Sequence, residues 1–378
     1  MNEEHELIRK SVREFAESEI QPIAKDLDES ATFSEDLTRK MGDLGLMGMY
    51  VSKAYGGQEM DYLSYIIAVE EIARVDSSQA ATLAAHNSLG CGPLYYFGNE
   101  AQKQKYLPKL CTGKSLWAFG LTEPDAGSDS RNSKTKATLV NGQWEINGSK
   151  IFITNGASAI SIGATVQCIT GTREDGRQEY STIIVEKGTP GFVSKSMHGK
   201  MVWRASDTAE LFFDGCKVPK QNLLGDRGMG SKIMLSTLDR GRLSIAALGL
   251  GLAQGAYEMS LRYAQERKQF GQVIGKFQAI SFKLADMAVK IEHARNTLYK
   301  ACWLVDNQKP FRKEAAMSKL YCSEVAKEVA DEAVQIHGGY GLMKEYDIER
   351  FYRDQRILQI GEGTSEIQRL VISRAIGL

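Results

Sequence analysis

The chain has 378 residues, enough for two or three domains and a sizeable core. Its 47 Lys and Arg balance 47 Asp and Glu, which argues against a polyanion-binding surface or an acidic tail and disfavours nucleic acid as a partner. Six cysteines (Cys91, Cys111, Cys168, Cys216, Cys302, Cys322) are scattered without a C-x-x-C pair, which fits a reduced, cytoplasmic compartment better than secretion.

In chain order, Met1 to Glu6 is acidic and opens an amphipathic pattern, so it reads as neither a signal peptide nor an Arg-rich transit sequence. No apolar run approaches the ~20 residues of a membrane span. From residue 3 to about 115 apolar residues recur at helical spacing, as in Leu7, Ile8, Val12, Phe15 and in Tyr65, Ile66, Val69, Ile72. The period then changes. Asn141-Gly142 and Asn147-Gly148 interrupt short β-prone runs, and Ser181 to Val185 and Leu211 to Phe213 follow, which predicts a small, mostly antiparallel β domain. From Gly230 onward long helical patterns return, over 242–266, 277–305 and 313–337. The expected division is a helical domain over 1–116, a β domain over 117–226 and a helical domain over 227–378, so the fold is mostly α with a central β domain. The absence of β-α alternation argues against a doubly wound nucleotide fold.

Gly249-Leu250-Gly251-Leu252-Ala253-Gln254-Gly255 imitates a dinucleotide fingerprint, but its third glycine is one place late and no strand precedes it. It reads instead as small residues permitting close helix packing. There is no P-loop, H-E-x-x-H or G-x-S-x-G. The five histidines lie far apart, so no metal site is expected from local spacing.

Three segments carry polar groups suited to binding or catalysis. Phe119 to Asp129 (FGLTEPDAGSD) joins a strand end to a turn of small residues, whose backbone N–H groups and Thr122 and Ser128 hydroxyls can face phosphate or ring oxygens. Lys150 to Gly156 (KIFITNG) repeats the theme. Either segment alone also describes an ordinary β-turn. Near the C-terminus Gly361-Glu362-Gly363 precedes a helix start, with Ser365 and Gln368 spaced as a capping box. The flanking glycines permit φ > 0 and close approach of another molecule, as a substrate-facing base requires. Taken alone, the pattern also describes a solvated loop glutamate.

The ordered set LTEPDAGSD, GSKIFITNG, ERKQFGQVIGKFQ, QIHGGYG and GEGTSEIQRLVISR, spread over essentially the whole chain, closely resembles the acyl-CoA dehydrogenase family of flavoproteins. That resemblance implies a helical N-domain, a small β-barrel-like domain and a C-terminal four-helix bundle, assembled as a homotetramer with FAD where domains and neighbouring subunits meet. Phe119, Leu121, Thr122, Gly127 and Ser128 match positions lining FAD or the CoA arm, and Phe152 and Thr154 match positions beside the flavin ring. Arg267, Phe270 and Gln278, with Gln335, Gly338 and Gly339 from a neighbouring subunit, match contacts to the pyrophosphate and adenine. Thr364 and Glu366 match further FAD contacts. On the substrate side stand Ser128, Asp239, Arg242, Gly361, Gly363 and Cys91.

Glu362 matches the catalytic base, which implies removal of an acyl-CoA α-proton while the flavin takes the β-hydride. Electrons would then pass to an electron-transfer flavoprotein. Some branches carry the base at the position that is Gly241 here, and glycine cannot serve. Many members acting on straight chains have Tyr where this chain has Gly361, which leads us to expect room for an α-branched or cyclic acyl group such as cyclohexane-1-carbonyl. The alternatives are an ordinary short-chain, butyryl-type enzyme, an oxidase or hydroxylase on the same scaffold, or a non-catalytic scaffold protein. Phe152 stands where Trp is frequent, keeping an apolar face.

Overall fold

The computed structural model describes residues 1–378. The N-terminal helices are α1 (Glu3–Phe15), α2 (Gln21–Ser30), α3 (Glu35–Asp43), α4 (Tyr62–Ala73), α5 (Ser77–Ala85), α6 (Gly92–Phe97) and α7 (Glu100–Leu110). α1 starts where the sequence allows, with Asn2 Oδ1 accepting from the His5 backbone N–H at 2.9 Å and His5 Nδ1 accepting from the Asn2 N–H. Every residue of α4 is buried, although its pattern reads as one apolar face. The reason is its polar pair. Glu70 and Glu71 are met by Arg9, Arg13, Arg295 and the Tyr299 hydroxyl, so the carboxylates can go inside with partners.

The middle segment contains β1 (Leu116–Gly120), β2 (Lys136–Val140), β3 (Gln143–Thr154), β4 (Ser161–Thr172), β5 (Gln178–Glu186), β6 (Phe192–Ser196), β7 (Thr208–Pro219) and β8 (Leu223–Leu224). They form one sheet in the order β6-β7-β3-β2-β4-β5-β8, with β1 parallel to β4 and most other pairs antiparallel. Asn141-Gly142 is the β2–β3 hairpin turn, with φ of +49° and +77°. Asn147-Gly148 corrects the expectation of a second interruption. It lies inside β3 at a register shift against β7, where Asn147 Oδ1 accepts from the Gly215 N–H.

The chain then returns to helices α8 (Gly230–Glu266), α9 (Gln278–Asp306), α10 (Arg312–His337), α11 (Ile348–Asp354) and α12 (Ser365–Ala375), with a two-strand ribbon, β9 (Lys268–Gln269) and β10 (Gln272–Val273), after α8. None is long and apolar enough to cross a membrane. The N-terminal and C-terminal helices share a single core of 65 buried residues, whereas the sheet encloses its own core of 15. Asp354 ties the parts together by accepting from the Ser77 hydroxyl at 2.6 Å and the Trp203 N–H at 2.9 Å.

The glycine run in α8 makes the shared core possible. A Cβ on Gly251 would lie 2.1 Å from the Glu70 carbonyl oxygen, one on Gly255 2.0 Å from that of Arg74, and one on Gly249 2.9 Å from that of Cys322. Backbone meets backbone on both sides of the helix, as the small-residue reading requires. Gly251→Ala should therefore force α4 and α8 apart and cost about 1–3 kcal/mol of stability. Chemical denaturation checks this, and an unchanged midpoint would show that the contact yields freely.

Candidate active site

The loop between α11 and α12 carries Glu362 in an unusual state. Its φ is +54°, left-handed and uncommon for a side chain other than Gly or Asn, and Gly363 follows at +94°. Three groups fix the loop: Thr364 Oγ1 accepts from the Ile367 N–H at 3.3 Å, while Gln368 Nε2 and Lys319 Nζ both donate to the Gly363 carbonyl, at 2.8 and 2.7 Å. The cap of α12 is thus Thr364 rather than Ser365, and Gln368 serves the loop carbonyls instead of closing a capping box.

The carboxylate points inward. Glu362 Oε2 is buried and has no hydrogen-bond partner, and it occupies the niche left by Gly241, where a Cβ would stand 1.9 Å from it. Burial raises the carboxyl to about 7, against the opposing charges of Lys319 and Arg242. The Glu362 backbone N–H bonds to no acceptor of the chain. The next residue on α8, Arg242, is 4% exposed and paired to Asp239 Oδ1, with Arg312 Nε 3.5 Å from the same oxygen. Burial raises the Asp239 carboxyl and lowers the Arg242 guanidinium, each opposed by the other's charge.

The end of β1 approaches this helix. Phe119 and Leu121 pack with Met234 and Leu238 of α8, which ties the start of the following turn to that helix. In that turn Thr122 is half-buried and Gly127 and Ser128 are exposed. Glu123 anchors it from below by accepting from Lys150 Nζ at 2.7 Å and the Thr135 N–H at 3.1 Å. Two residues on, a bulge in β3 holds Phe152 at φ +60° with its residue 65% exposed, and Thr154 is half-buried.

A separate open groove of about 660 Å³ gathers Arg267, Phe270, Phe277, Gly338 and Gly339, so the ERKQFG and IHGGYG motifs meet within one chain. Phe270 is 93% exposed, Arg267 lies over the Tyr340 ring, and a Cβ on Gly338 or Gly339 would touch nothing within 4 Å. Gln278 and Gln335 are exposed outside the groove, as is Glu366 on α12. Cys91 sits in the shared core, its thiol 3.5 Å from His86 Nε2. Sequence reasoning missed Lys319. Its signal is a lysine on the buried face of α10 that also carries Ala315, Cys322 and Ala326.

A buried, unpaired carboxylate beside a free N–H, within a helix–sheet–helix frame carrying an exposed aromatic face, is an arrangement able to accept a proton from a bound molecule. Family models of the acyl-CoA dehydrogenase N-terminal, middle and C-terminal domains match residues 2–114, 118–216 and 228–377. The short-chain-specific acyl-CoA dehydrogenase of Clostridium acetobutylicum is 46% identical over 376 residues, covering 100% of this chain and 98% of that protein. The solved butyryl-CoA dehydrogenase of Megasphaera elsdenii superposes with a TM-score of 0.96 at 42% identity, covering 100% and 98% of the two chains. A chain solved in work on the electron transferring flavoprotein of Acidaminococcus fermentans gives 0.96 at 44% identity, with the same coverage. The chain belongs to the acyl-CoA dehydrogenase family. It is an FAD-dependent oxidoreductase with acyl-CoA dehydrogenase activity.

The residues present fit FAD: an outward aromatic in a left-handed bulge, an open groove with a guanidinium and two unobstructed glycines, and turn hydroxyls at the β1 end. The branched or cyclic acyl group expected from Gly361 finds no support, since the relatives named for chain length are short-chain enzymes. A Cβ on Gly361 would meet Ile357 at 3.6–3.9 Å, ordinary van der Waals contact. Gly241→Ala should expel the carboxylate from its niche and lower the rate of flavin reduction by acyl-CoA at least ~10-fold, the cost of misplacing a reacting group. Stopped-flow flavin absorbance is the measurement, with flavin content unchanged.

Proposed function

We propose that the protein dehydrogenates short, straight-chain acyl-CoA thioesters of the butyryl type at the α,β-bond, with Glu362 removing the α-proton. The observation that carries this reading is the buried, unpartnered Glu362 Oε2 in the Gly241 niche. A carboxylate with no competing donor keeps its basicity, and a carboxyl raised to about 7 is poised near neutral pH. The free Glu362 N–H donates to the thioester carbonyl, stabilising the enolate-like oxygen as the proton leaves. Asp239, Arg242, Gly361 and Gly363 line the substrate side, and Ser128 lies along the CoA arm. Cys91 backs that side from the core. FAD, when bound, supplies the acceptor for the β-hydride.

Phe119, Leu121, Thr122, Gly127, Phe152 and Thr154 hold the flavin end. Arg267, Phe270, Gln278, Gln335, Gly338, Gly339, Thr364 and Glu366 hold the remainder of FAD across neighbouring subunits of a homotetramer. The exposed Phe282, Val289 and Trp303 fall on one face of α9 and support such an assembly. The likeness to the Acidaminococcus chain supports an electron-transfer flavoprotein as the electron acceptor.

Glu362→Gln should keep fold and FAD yet lose at least ~100-fold in flavin reduction, because the amide matches the shape and cannot take the proton. A near-parental rate would assign the base elsewhere. In the parent, kcat/KM should rise with pH through about 7 as the base ionises, and butyryl-CoA should exceed cyclohexane-1-carbonyl-CoA. The opposite preference would overturn the chain-length reading.

Arg267→Ala should weaken FAD retention by roughly 2–5 kcal/mol, since the planar fork of donors that pairs with pyrophosphate is lost. Equilibrium dialysis against FAD measures it.

A further inference from the structure

Behind the loop that carries Glu362, α10 presents Lys319, a lysine with no exposed surface. A buried ammonium is unfavourable unless something compensates for its lost hydration. Its one hydrogen bond goes to a backbone carbonyl, that of Gly363, at 2.7 Å. Gln368, equally buried, donates to the same oxygen from α12 at 2.8 Å. Two buried donors from two helices converge on the carbonyl of the residue that follows the base. A non-glycine residue keeps a left-handed φ only where its surroundings over-determine it, and this pair of donors does so for Glu362.

The other charged or titratable groups facing the carboxylate differ from Lys319. Arg242, from α8, shares its charge with Asp239, which also meets Arg312. Tyr65, from α4, commits its hydroxyl to the Ala84 carbonyl and Ser244 Oγ. Glu366 on α12 faces Lys319 from the exposed side.

We propose that Lys319 is a positioning residue for the catalytic carboxylate: it clamps the Gly363 carbonyl so that Glu362 keeps its left-handed backbone, and it sets an unshared positive charge behind the base. The proposal rests on Glu362 being the base. After burial, Lys319 is the largest influence on the Glu362 carboxyl and acts downward, ahead of Arg242. The lysine itself is lowered by burial to about 8, so it is still charged as the carboxylate ionises near 7. Removing the charge therefore raises the carboxyl, and the acid side of the rate profile moves to higher pH.

The test uses the FAD-loaded enzyme and two readouts: infrared difference titration of the Glu362 carboxyl, with Glu362→Gln as the subtraction, and the pH dependence of flavin reduction by butyryl-CoA. Lys319→Met should raise both midpoints by about one pH unit, so the rate on the acid side falls about tenfold and recovers at alkaline pH. KM should change little. Gln368→Met removes the neutral half of the clamp, so it should slow the reaction with the midpoints unmoved. If Lys319→Met does not retain flavin, Lys319→Gln carries the same test. An unmoved infrared midpoint overturns the proposal, even if the melting temperature drops, since a merely structural lysine would do only that. An equal midpoint shift in Gln368→Met also overturns it. A parental rate in Glu362→Gln overturns instead the base assignment, a result independent of the infrared midpoint.

Discussion

A carboxylate oxygen held below the surface with no donor to satisfy it is costly, and the rest of the active site is organised around tolerating that cost. Solvation or a direct ion pair would relieve Glu362, but either would occupy the lone pair that its proposed role as base requires. The structure compensates from a distance. Two cations, Lys319 and Arg242, influence the carboxyl without a hydrogen bond to it, and the missing side chain of Gly241 supplies the volume. Placing Glu362 on the loop and the vacancy on α8 makes the two positions mutually exclusive: a side chain at 241 would have to stand where Oε2 already is.

That vacancy works only if α8 is itself immovable. The helix is pinned by glycines at 249, 251 and 255, which bring backbone carbonyls of α4 and α10 close against it, within a core common to both helical parts. Interiors at native density transmit displacement rather than absorbing it, so packing several turns away sets where Gly241 stands. The sheet, with its own smaller core, is joined to this frame through contacts such as those of Asp354 and the packing of Phe119 and Leu121 on α8.

The parts of this arrangement legible in the sequence are the ones determined locally. Asn141-Gly142 specifies a turn because both of its residues tolerate φ > 0, and the hairpin forms there. The same dipeptide at 147–148 becomes a bulge, because pairing with β7 outweighs local preference. The helix start near 365 was readable to within one residue, with Thr364 capping instead of Ser365. Burial of α4 on all sides depends on arginines from α1 and α9, more than fifty and two hundred positions away, and no window contains that information. Glu362 stood out through its glycines. Lys319 did not, since its partner carbonyl lies 44 residues on.

A second buried lysine supports the other wall in a comparable way. Lys150, fully buried, pairs with Glu123 at 2.7 Å and also donates to the Leu121 carbonyl at 3.2 Å, while Glu123 accepts from the Lys134 and Thr135 N–H groups. Every charge in the cluster is paired and hydrogen-bonded, the condition under which a buried ion pair holds geometry; removing one partner typically costs 3–5 kcal/mol. Its geometric effect is to bind the LTEPDAGSD turn to the strand whose bulge turns Phe152 outward. The two motifs therefore behave as one rigid piece, with turn hydroxyls and aromatic face at a fixed separation. Lys319 does the equivalent for the loop of Glu362, so one turn that faces outward and one loop whose carboxylate faces inward are each held through a backbone carbonyl by a buried ammonium.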